Sequence, residues 1–337
     1  MQTRRLGSEG LELSALGLGC MGMSDFYGPA DRAQSIATIH AAQDAGITLL
    51  DTGDFYGCGH NEMLIAEAMR GRRREDAFIA VKFGAMRTPD AGFIGFDGRP
   101  SAVKNFLAYS LKRLGTDYVD LYQPARIDPN VPIEETVGAI KEMIERGYVR
   151  YLGLSEASAA TLRRAHAVHP VAWLQIEYSL FSRGIEADIL PTARALGISI
   201  AAYGVLSRGL LSGHWPAQAA GTAPDFRSRL PRFTGDNLEK NLALVEALRA
   251  LAADKGITVA QLAIAWVLAR GADIIPLIGA RRPERLEEAL NALGVVLSTD
   301  DLARIEQAVP AGATAGDRYD AAQMGMLDSE RPRTIPV

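Results

Sequence analysis

The chain is poor in cysteine and histidine, and it has no long hydrophobic run. Its two cysteines, Cys20 and Cys58, have no metal-ligand spacing, and its five histidines form no HExxH-like pair. We therefore expect free thiols and no protein-bound metal. No apolar run approaches the roughly 18 residues of a membrane helix, and residues 1–14 lack the apolar segment of a signal peptide. These absences indicate a cytoplasmic protein without a membrane partner.

A marked excess of one charge is also missing. The chain has 36 Lys and Arg against 40 Asp and Glu, and its formal net charge is −4. The arginine cluster at 70–74 is short and is followed by Glu75 and Asp76, which favours a solvated helix end over a nucleic-acid face. We expect a small-molecule substrate and no nucleic-acid partner, and both a monomer and a homo-oligomer stay open.

Short apolar runs that alternate with amphipathic segments are the main pattern in the sequence. The eight runs are residues 15–19, 47–51, 77–82, 118–123, 151–155, 172–177, 198–203 and 273–279. Alternation of this kind predicts parallel strands joined by helical crossovers. Eight strand–helix units fit an α/β fold of the (β/α)8 TIM-barrel type, whereas six would fit a doubly wound sheet. Asp31, Ser101 and Thr258 are predicted to cap helices.

Four segments exceed what eight barrel units need. They are a predicted N-terminal β-hairpin at 3–13, loops at 84–100 and 206–235, and a polar tail at 310–337. We expect the extra loops and helices at the C-terminal face of the barrel, with the tail over or near the active site. No linker or composition break divides the chain, so the prediction is a single domain, 1–337.

One motif points to a different fold. "GLGCMG" at 17–22 matches the dinucleotide fingerprint GxGxxG letter for letter. That motif opens directly into a helix and has an acidic residue about 20 positions further on. Here the helix is predicted to begin near Asp31, and Asp51 lies 29 residues past Gly22. The barrel interpretation is therefore favoured over a Rossmann fold.

Three side chains with complementary chemistry follow neighbouring predicted strands. Asp51 ends the second strand, Tyr56 follows it, and Lys82 ends the third. In a barrel all three lie at the C-terminal face, where the chemistry takes place. An ammonium lowers the pKa of a neighbouring phenol, and a carboxylate keeps the lysine charged. The set predicts a tuned proton donor, although each residue alone also suits packing or a surface role.

The loop after the eighth strand predicts a phosphate site. "IGARRPERLEE" at 278–288 joins a glycine-containing turn to a helix start with three arginines, Arg281, Arg282 and Arg285. Barrels often bind phosphate at this position, and arginine suits a phosphomonoester. A dinucleotide that carries a 2′-phosphate would use both features. A solvated helix start is the alternative.

Taken together, these motifs resemble those of the aldo-keto reductases over nearly the whole chain. "GITLLDTGDFYGCGHNE" and "IGARRPERLEE" are the most specific, and "VKFG", "GYVRYLGLSE" and "AYGVLSRGLLSG" support them. The chain looks closest to the bacterial, plant and yeast branch with pyridoxal reductase-like and auxin-induced-protein-like members. The resemblance implies a (β/α)8 domain that binds NADPH or NADP+ and reversibly reduces an aldehyde or ketone to an alcohol.

The resemblance also assigns roles to individual residues. It makes Tyr56 the proton donor, Lys82 the group that lowers its pKa, and Asp51 the partner of the lysine. It places Tyr27 and Ala125 in the substrate pocket. The cofactor-binding residues that it implies are Gly22, Met23, Asp51, Ser155, Gln175, Tyr203, Gly204, Val205, Leu206, Arg208, Gly209, Ile278, Gly279, Ala280, Arg281, Arg285 and Glu288.

Within that cofactor set, four parts of the dinucleotide have separate partners. Ser155 and Gln175 are expected to bind the nicotinamide carboxamide, and Tyr203 is expected to stack on the ring. Arg208 is a predicted pyrophosphate contact. The 278–288 loop is expected at the adenosine end.

Four positions depart from the family pattern. Glu156 stands where the family usually has Asn, and Gly204 loosens a turn that commonly reads "AYSPLGRG". Ala289 replaces an adenine-binding Asn. In "YQPAR" the fourth member of the catalytic tetrad, a histidine, is Ala125. Loss of that donor predicts a slower reductase toward small aldehydes rather than an inactive one.

Two other functions stay open on the sequence. One is a cofactor-sensing regulatory protein, which the resemblance to potassium-channel β subunits permits and the missing histidine favours. The other is a Schiff-base enzyme that uses Lys82. An acid beside Lys82 disfavours the neutral amine that imine formation needs.

Overall fold

The computed structural model describes all residues except 9, 25, 91, 215–225 and 332–337. Within that part of the chain there are twelve strands. The strands are β1 Thr3–Leu6, β2 Leu11–Ser14, β3 Gly17–Gly19, β4 Leu49–Gly53, β5 Phe78–Phe83, β6 Ala85–Arg87, β7 Phe93–Phe96, β8 Val119–Pro124, β9 Val149–Ser155, β10 Val171–Glu177, β11 Ser199–Tyr203 and β12 Ile274–Gly279.

Eight of these strands close into a barrel, in the order β3, β4, β5, β8, β9, β10, β11, β12. Each strand pairs in parallel with its neighbours, and β12 pairs with β3 to close the ring. All eight correspond to the apolar runs of the sequence, because strands that are covered on both faces need side chains that tolerate burial throughout. The predicted (β/α)8 TIM barrel is confirmed.

The interior of the barrel is filled by large side chains from its strands. Trp173 is fully buried and donates from its indole N–H to the Gln123 Oε1 at 2.8 Å. Residue 153 has to be glycine for this packing, since a Cβ there would approach Trp173 and Leu121 to 2.6 Å. The interior is therefore a packed core, and the chemistry is left to the rims.

The N-terminal hairpin closes the end of the barrel where the strands begin. β1 and β2 pair antiparallel, as the sequence predicted. Leu6 and Leu13 from the hairpin pack in one cluster with Leu49 and Phe78, which are the first residues of β4 and β5. The site must therefore form at the opposite end.

Helices connect the strands and cover the barrel. They are α1 Arg32–Asp44, α2 His60–Ala68, α3 Pro100–Leu114, α4 Ile133–Glu145, α5 Ala159–Val168, α6 Ile189–Ala195, α7 Gly235–Asp254, α8 Val259–Ala269, α9 Pro283–Asn291, α10 Thr299–Ala308 and α11 Ala321–Gly325. Asp31 caps α1 and Thr258 caps α8, as predicted. The cap at Ser101 was wrong, because α3 begins at Pro100, whose fixed φ suits the first helical position.

The segments outside the barrel are more ordered than the sequence suggested. The predicted loop at 84–100 contains the antiparallel pair β6 and β7. The loop at 206–235 contains 3-10 turns at Ser207–Ser212, Phe226–Arg229 and Pro231–Phe233, and its 215–225 part lies outside the described residues. The tail contains α11 and a 3-10 turn at Asp328–Glu330.

None of the described helices is individually long and apolar enough to cross a bilayer. Only α7 and α8 taken together reach the required length and composition, and they are bent by 87° relative to each other. In the same part of the chain, no group of three or more His, Cys, Asp or Glu side chains is arranged to hold a metal ion. Cys20 is a buried free thiol and Cys58 an exposed one.

Candidate active site

A buried ion pair lies where β4 and β5 end. The Lys82 Nζ donates to both carboxylate oxygens of Asp51, at 2.7 and 2.8 Å. The Gln175 Nε2 donates to the same carboxylate at 2.7 Å. Burial lowers the pKa of Lys82, and the Asp51 carboxylate opposes that shift. Gln175, predicted to bind a cofactor amide, is thus close enough to the pair to orient it.

Tyr56 begins the short turn that follows β4 and lies against this pair. Its ring is 5% exposed, and the Lys82 Nζ is 5.1 Å from the ring centroid. The sequence argument expected the ammonium to lower the phenol pKa. Instead, burial raises the pKa of Tyr56 well above 10, and the Asp51 carboxylate adds to the rise. The phenol therefore keeps its proton at neutral pH, which suits a proton donor and not a base.

Three aromatic side chains from distant segments of the chain pack in a row beside Tyr56. Phe26 meets it edge-on with ring centroids 6.4 Å apart, and Phe226 lies 5.7 Å from Phe26. Tyr319 of the tail follows, 6.4 Å from Phe226. Sequence reasoning missed all three, because long loops and tails carry no period that shows where they fold back. The only available hint was that Phe26 adjoins Tyr27.

Residue 125 directly follows β8 and is almost fully buried. Ala125 is 1% exposed, and its N–H donates to the Phe83 carbonyl at 2.8 Å. The next side chain folds back over it, since the Arg126 Nη1 donates to the Ala125 carbonyl at 2.7 Å. The Arg126 Nη2 also contacts the Tyr319 hydroxyl at 3.4 Å. A guanidinium, to which the sequence assigned no role, therefore lies beside Ala125.

Glu156 binds the tail. It is fully buried, and it accepts hydrogen bonds from both Nη atoms of Arg318 at 2.8 and 2.6 Å. The hydroxyls of Ser329 and Tyr203 also donate to it, each at 2.6 Å. Burial disfavours the charged form, but Arg318 outweighs it and holds the pKa of Glu156 below its usual range. The family departure at this position is thus explained by a partner 162 residues away.

A second buried carboxylate, Glu177 at the end of β10, lies close to three arginines. The Arg208 Nη2 lies 3.0 Å from it, the Arg232 Nη1 3.3 Å, and the Arg318 Nη1 3.6 Å. The Arg208 guanidinium also lies 4.4 Å from the centre of the Tyr319 ring. Arg208, the predicted pyrophosphate contact, is therefore held rigidly at the mouth of the barrel.

The strand ends that were predicted to bind the nicotinamide part offer suitable groups. The Ser155 Oγ is buried and has no hydrogen-bond partner among the described residues. A donor left in this state is unfavourable unless something else binds it. The loop after β11 turns sharply through left-handed backbone at Gly204, Arg208 and Gly209. The residues of this loop that the resemblance assigned are Gly204, Val205, Leu206, Arg208 and Gly209.

The loop after β12 lies beside the β3 loop. The exposed Arg281 donates from Nη1 to the carbonyls of Tyr27 at 3.0 Å and Pro29 at 3.3 Å. Its side chain passes Gly22, where a Cβ would be 3.6 Å from the Arg281 Cγ. The predicted residues brought to this rim are Gly22, Met23, Tyr27, Ile278, Gly279, Ala280, Arg281, Arg285 and Glu288. These side chains and the orphaned Ser155 hydroxyl fit a nicotinamide dinucleotide.

Two predicted residues of α9 have other contacts. The Arg285 Nη1 donates to Glu288 at 3.1 Å, so these two side chains already satisfy part of each other's hydrogen bonding. Ala289, which replaces an adenine-binding Asn of the family, is 3% exposed and packs in the hydrophobic core. His60, at the start of α2, contacts the Ser24 hydroxyl at 2.9 Å on an exposed surface.

Known proteins match this chain over most of its length. Residues 15–310 match the sequence model of the Aldo/keto reductase family. "Probable aldo-keto reductase 1" of Glycine max is 43% identical over 322 residues, which are 95% of this chain and 92% of that protein.

Solved structures agree with the sequence matches. The glycerol dehydrogenase AKR11B4 from Gluconobacter oxydans superposes with a TM-score of 0.83 at 30% identity, over 99% of this chain and 98% of that chain. The holo form of the aldo-keto reductase AKR11C1 from Bacillus halodurans gives 0.77 at 26% identity, over 93% and 97%. The chain therefore belongs to the aldo/keto reductase family, whose members are carbonyl-reducing oxidoreductases that normally use nicotinamide cofactors.

Proposed function

We propose that the protein is an NADPH-dependent reductase that reversibly converts an aldehyde or ketone to an alcohol, with Tyr56 as the proton donor. The observation that carries the proposal is the buried Asp51–Lys82 pair with Tyr56 beside it, at the ends of neighbouring strands. We take residues 1–337 as one catalytic domain, in which the tail completes the site.

The roles of the side chains follow from their chemistry. The raised pKa of Tyr56 keeps its proton available until negative charge develops on the substrate oxygen. Lys82 stabilises the phenolate left after transfer, and Asp51 fixes the lysine in place. Ser155, Gln175 and Tyr203 would hold the nicotinamide end of the cofactor. When bound, this cofactor supplies the hydride.

The preference for NADPH rests on the loop after β12. Arg281 is exposed and lies at the start of α9, where a helix end and a guanidinium together favour a phosphomonoester. Arg285 is one turn further on and contributes charge to the same rim. An NADH molecule would leave these arginines without an anionic partner.

The proposal is tested with Tyr56→Phe, which keeps the ring and removes the proton. Turnover in an NADPH oxidation assay across aldehydes and ketones should fall by about 10²-fold or more, while cofactor affinity stays nearly unchanged. The reverse reaction is measured with NADP+ and alcohols, glycerol among them, because a structural relative is a glycerol dehydrogenase.

Tyr122→Phe is the matched control. Tyr122 is also a fully buried tyrosine, but its hydroxyl donates to the Val103 carbonyl at 3.1 Å, away from the ion pair. This variant should keep its turnover. Near-full carbonyl reduction by Tyr56→Phe would show that another group is the donor.

A cofactor-sensing protein is the second candidate, and Ala125 is the observation that favours it, because the methyl group supplies no donor to a carbonyl. The same assay separates the two functions. Tight NADPH binding without turnover of any carbonyl compound would favour the sensor, whereas turnover that depends on Tyr56 favours the reductase.

A further inference from the structure

Arg126 lies at the C-terminal face of the barrel, next to the strand that carries Lys82. In the β5–β8 register Lys82 is opposite Gln123, and Arg126 follows three residues after Gln123. Its guanidinium folds back onto the Ala125 carbonyl and reaches the Tyr319 hydroxyl. The side chain is only partly buried, so part of it is accessible to solvent.

Three other arginines at this end of the barrel have carboxylate partners. Arg208 and Arg232 contact Glu177, and Arg318 contacts Glu156. Arg126 differs from them, because within the described residues no carboxylate lies within 4.0 Å of its guanidinium. Its two recorded partners are neutral oxygens, one of them at 3.4 Å.

The Arg126 guanidinium can form further hydrogen bonds. It carries five N–H donors in a planar fork, and two neutral contacts leave most of them available. Partial burial disfavours this charge, and the Glu156 carboxylate offsets that effect only from beyond 4.0 Å, so the site favours an anion. A carboxylate matches the fork in shape and charge.

The position of Arg126 also relates it to the reacting carbonyl. The Arg126 guanidinium acts electrostatically on the Tyr56 phenol and lowers its pKa, against the larger effects of burial and Asp51. Arg126 also directly follows Ala125, the position that the resemblance places beside the reacting carbonyl. Ala125 is 1% exposed, and its methyl group adds less bulk beside the fork than an imidazole would.

We propose that Arg126 binds a carboxylate on the substrate, so that the preferred substrates are oxo acids in which the carboxylate is close to the reacting carbonyl. This inference rests on the proposed reductase function. It names the substrate class, and it gives Arg126 and Ala125 one shared explanation. The arginine binds the acid group, and the alanine makes room for it.

The test compares two substrates that differ in one charge, benzoylformate and its methyl ester. Arg126→Met keeps most of the length of the side chain and removes the fork. In this variant kcat/KM for benzoylformate should fall by about 10- to 100-fold, mainly through KM, while the value for the ester changes by less than about 3-fold. Arg126→Lys should recover part of the loss, since it keeps the charge and loses the fork.

Arg150→Met is the control for a general effect of charge. Arg150 lies near the start of β9, at the opposite end of the barrel, and pairs with Asp120 at 3.2 Å. Its removal should leave the ratio of kcat/KM for benzoylformate to kcat/KM for the ester unchanged. If Arg126→Met lowers kcat/KM equally for the acid and the ester, so that their ratio is the same as in the wild type, the inference is overturned.

A binding measurement separates this inference from the proposed function. Benzoate is titrated calorimetrically into the NADP+-saturated protein, and Arg126→Met should weaken its binding by about 10-fold or more. If the wild type reduces no carbonyl compound, the proposed function is wrong, and the benzoate titration still decides the role of Arg126. If both proteins bind benzoate equally, the carboxylate site is refuted even where reduction is observed.

Discussion

At residue 125 a methyl group stands where the resemblance places an imidazole. Ala125→His should restore a donor to the reacting carbonyl and raise the rate with propanal by up to about 10²-fold. The site has little spare volume, since Ala125 is 1% exposed and Arg126 folds over its carbonyl. The imidazole should therefore weaken the binding of bulky ketones. Steady-state kinetics with propanal and with an aryl ketone measure both effects.

Ala125→Ser serves as the matched control, because it adds a small polar group without the reach of an imidazole. Its kinetics should stay within about 3-fold of the wild type on both substrates, which is small beside the effect of a catalytic donor. If Ala125→His changes neither substrate, position 125 does not face the reacting carbonyl, and the slow turnover predicted here has no basis.

The sequence predicted that Asp51, Tyr56 and Lys82 lie together, because barrel topology fixes where strand ends lie. It had no comparable rule for Arg126, whose neighbour Tyr319 is 193 positions further along the chain. The sequence argument was also wrong about the direction in which the pKa of Tyr56 shifts. The expectation counted one charged neighbour, but burial has the largest effect on the phenol, and burial depends on the whole fold.

Among the elements, the barrel strands were the most predictable part. Their apolar runs are continuous, since each is covered on both faces. The β6–β7 hairpin was missed because its strands are three and four residues long and partly exposed, and such segments have no strong pattern. The branch of the family, like the individual site roles, stays a prediction.

The loop after β12 carries a prediction about cofactor choice. The wild type should bind NADPH more tightly than NADH by about 2 kcal/mol, which is the scale of a charge-assisted hydrogen bond. Arg281→Ala should narrow that gap, and the neighbouring exposed Arg282→Ala should narrow it less, because Arg281 is the one that lies beside Gly22. Dissociation constants from fluorescence titration measure the gap. Equal affinities in the wild type would refute the 2′-phosphate site.

The tail carries a prediction about stability. Glu156→Gln leaves the Arg318 guanidinium buried without its main counter-charge, so the free energy of unfolding at pH 7 should fall by about 3–5 kcal/mol. The exposed partner of the same arginine is the control, and Glu330→Gln should cost less than about 1 kcal/mol. Urea denaturation at pH 7 compares the two variants. Equal losses would show that burial of the pair is unimportant.

The same contact has a pH dependence with a definite sign. The pKa of Glu156 is lowered in the folded protein, so its stabilising effect is present above the unfolded pKa of about 4.3 and is lost as pH falls below it. The wild type should therefore lose stability toward acid more steeply than Glu156→Gln. Hydrogen exchange of residues 318–330 at pH 7 and pH 4 locates the effect in the tail.

On the scale of the whole molecule, buried charge is concentrated at one end of the barrel. Asp51 and Lys82 form one ion pair. Glu156 and Glu177 bind arginines of the 206–235 loop and of the C-terminal tail. At the opposite end the hairpin contributes apolar side chains, and Asp120 is a buried carboxylate paired with Arg74 and Arg150. Stability should therefore depend on pH mainly through the catalytic end.

Asp54 is a buried carboxylate with poor hydrogen-bond partners. Its Oδ1 has no hydrogen-bond partner within the described part of the chain, and its Oδ2 accepts from the Gly84 N–H at 3.3 Å. Burial, with the nearby Glu62 carboxylate, raises the pKa of Asp54 to about 8. Between about pH 4 and pH 8 the folded state therefore holds a proton that the unfolded chain has released. Stability must fall as pH rises through that window.

Asp54→Asn removes this penalty, because the amide cannot ionise. The variant should be more stable than the wild type by about 1–3 kcal/mol at pH 8 and by less at pH 5, since the wild-type carboxyl is largely protonated there. Asp120→Asn is the control, because Asp120 is equally buried but is paired with Arg74 at 2.6 Å and with Arg150. It should destabilise the protein at both pH values. Urea denaturation at pH 5 and pH 8 decides the matter. A loss of stability in Asp54→Asn at pH 8 would mean that Asp54 is ionised and satisfied in the folded protein.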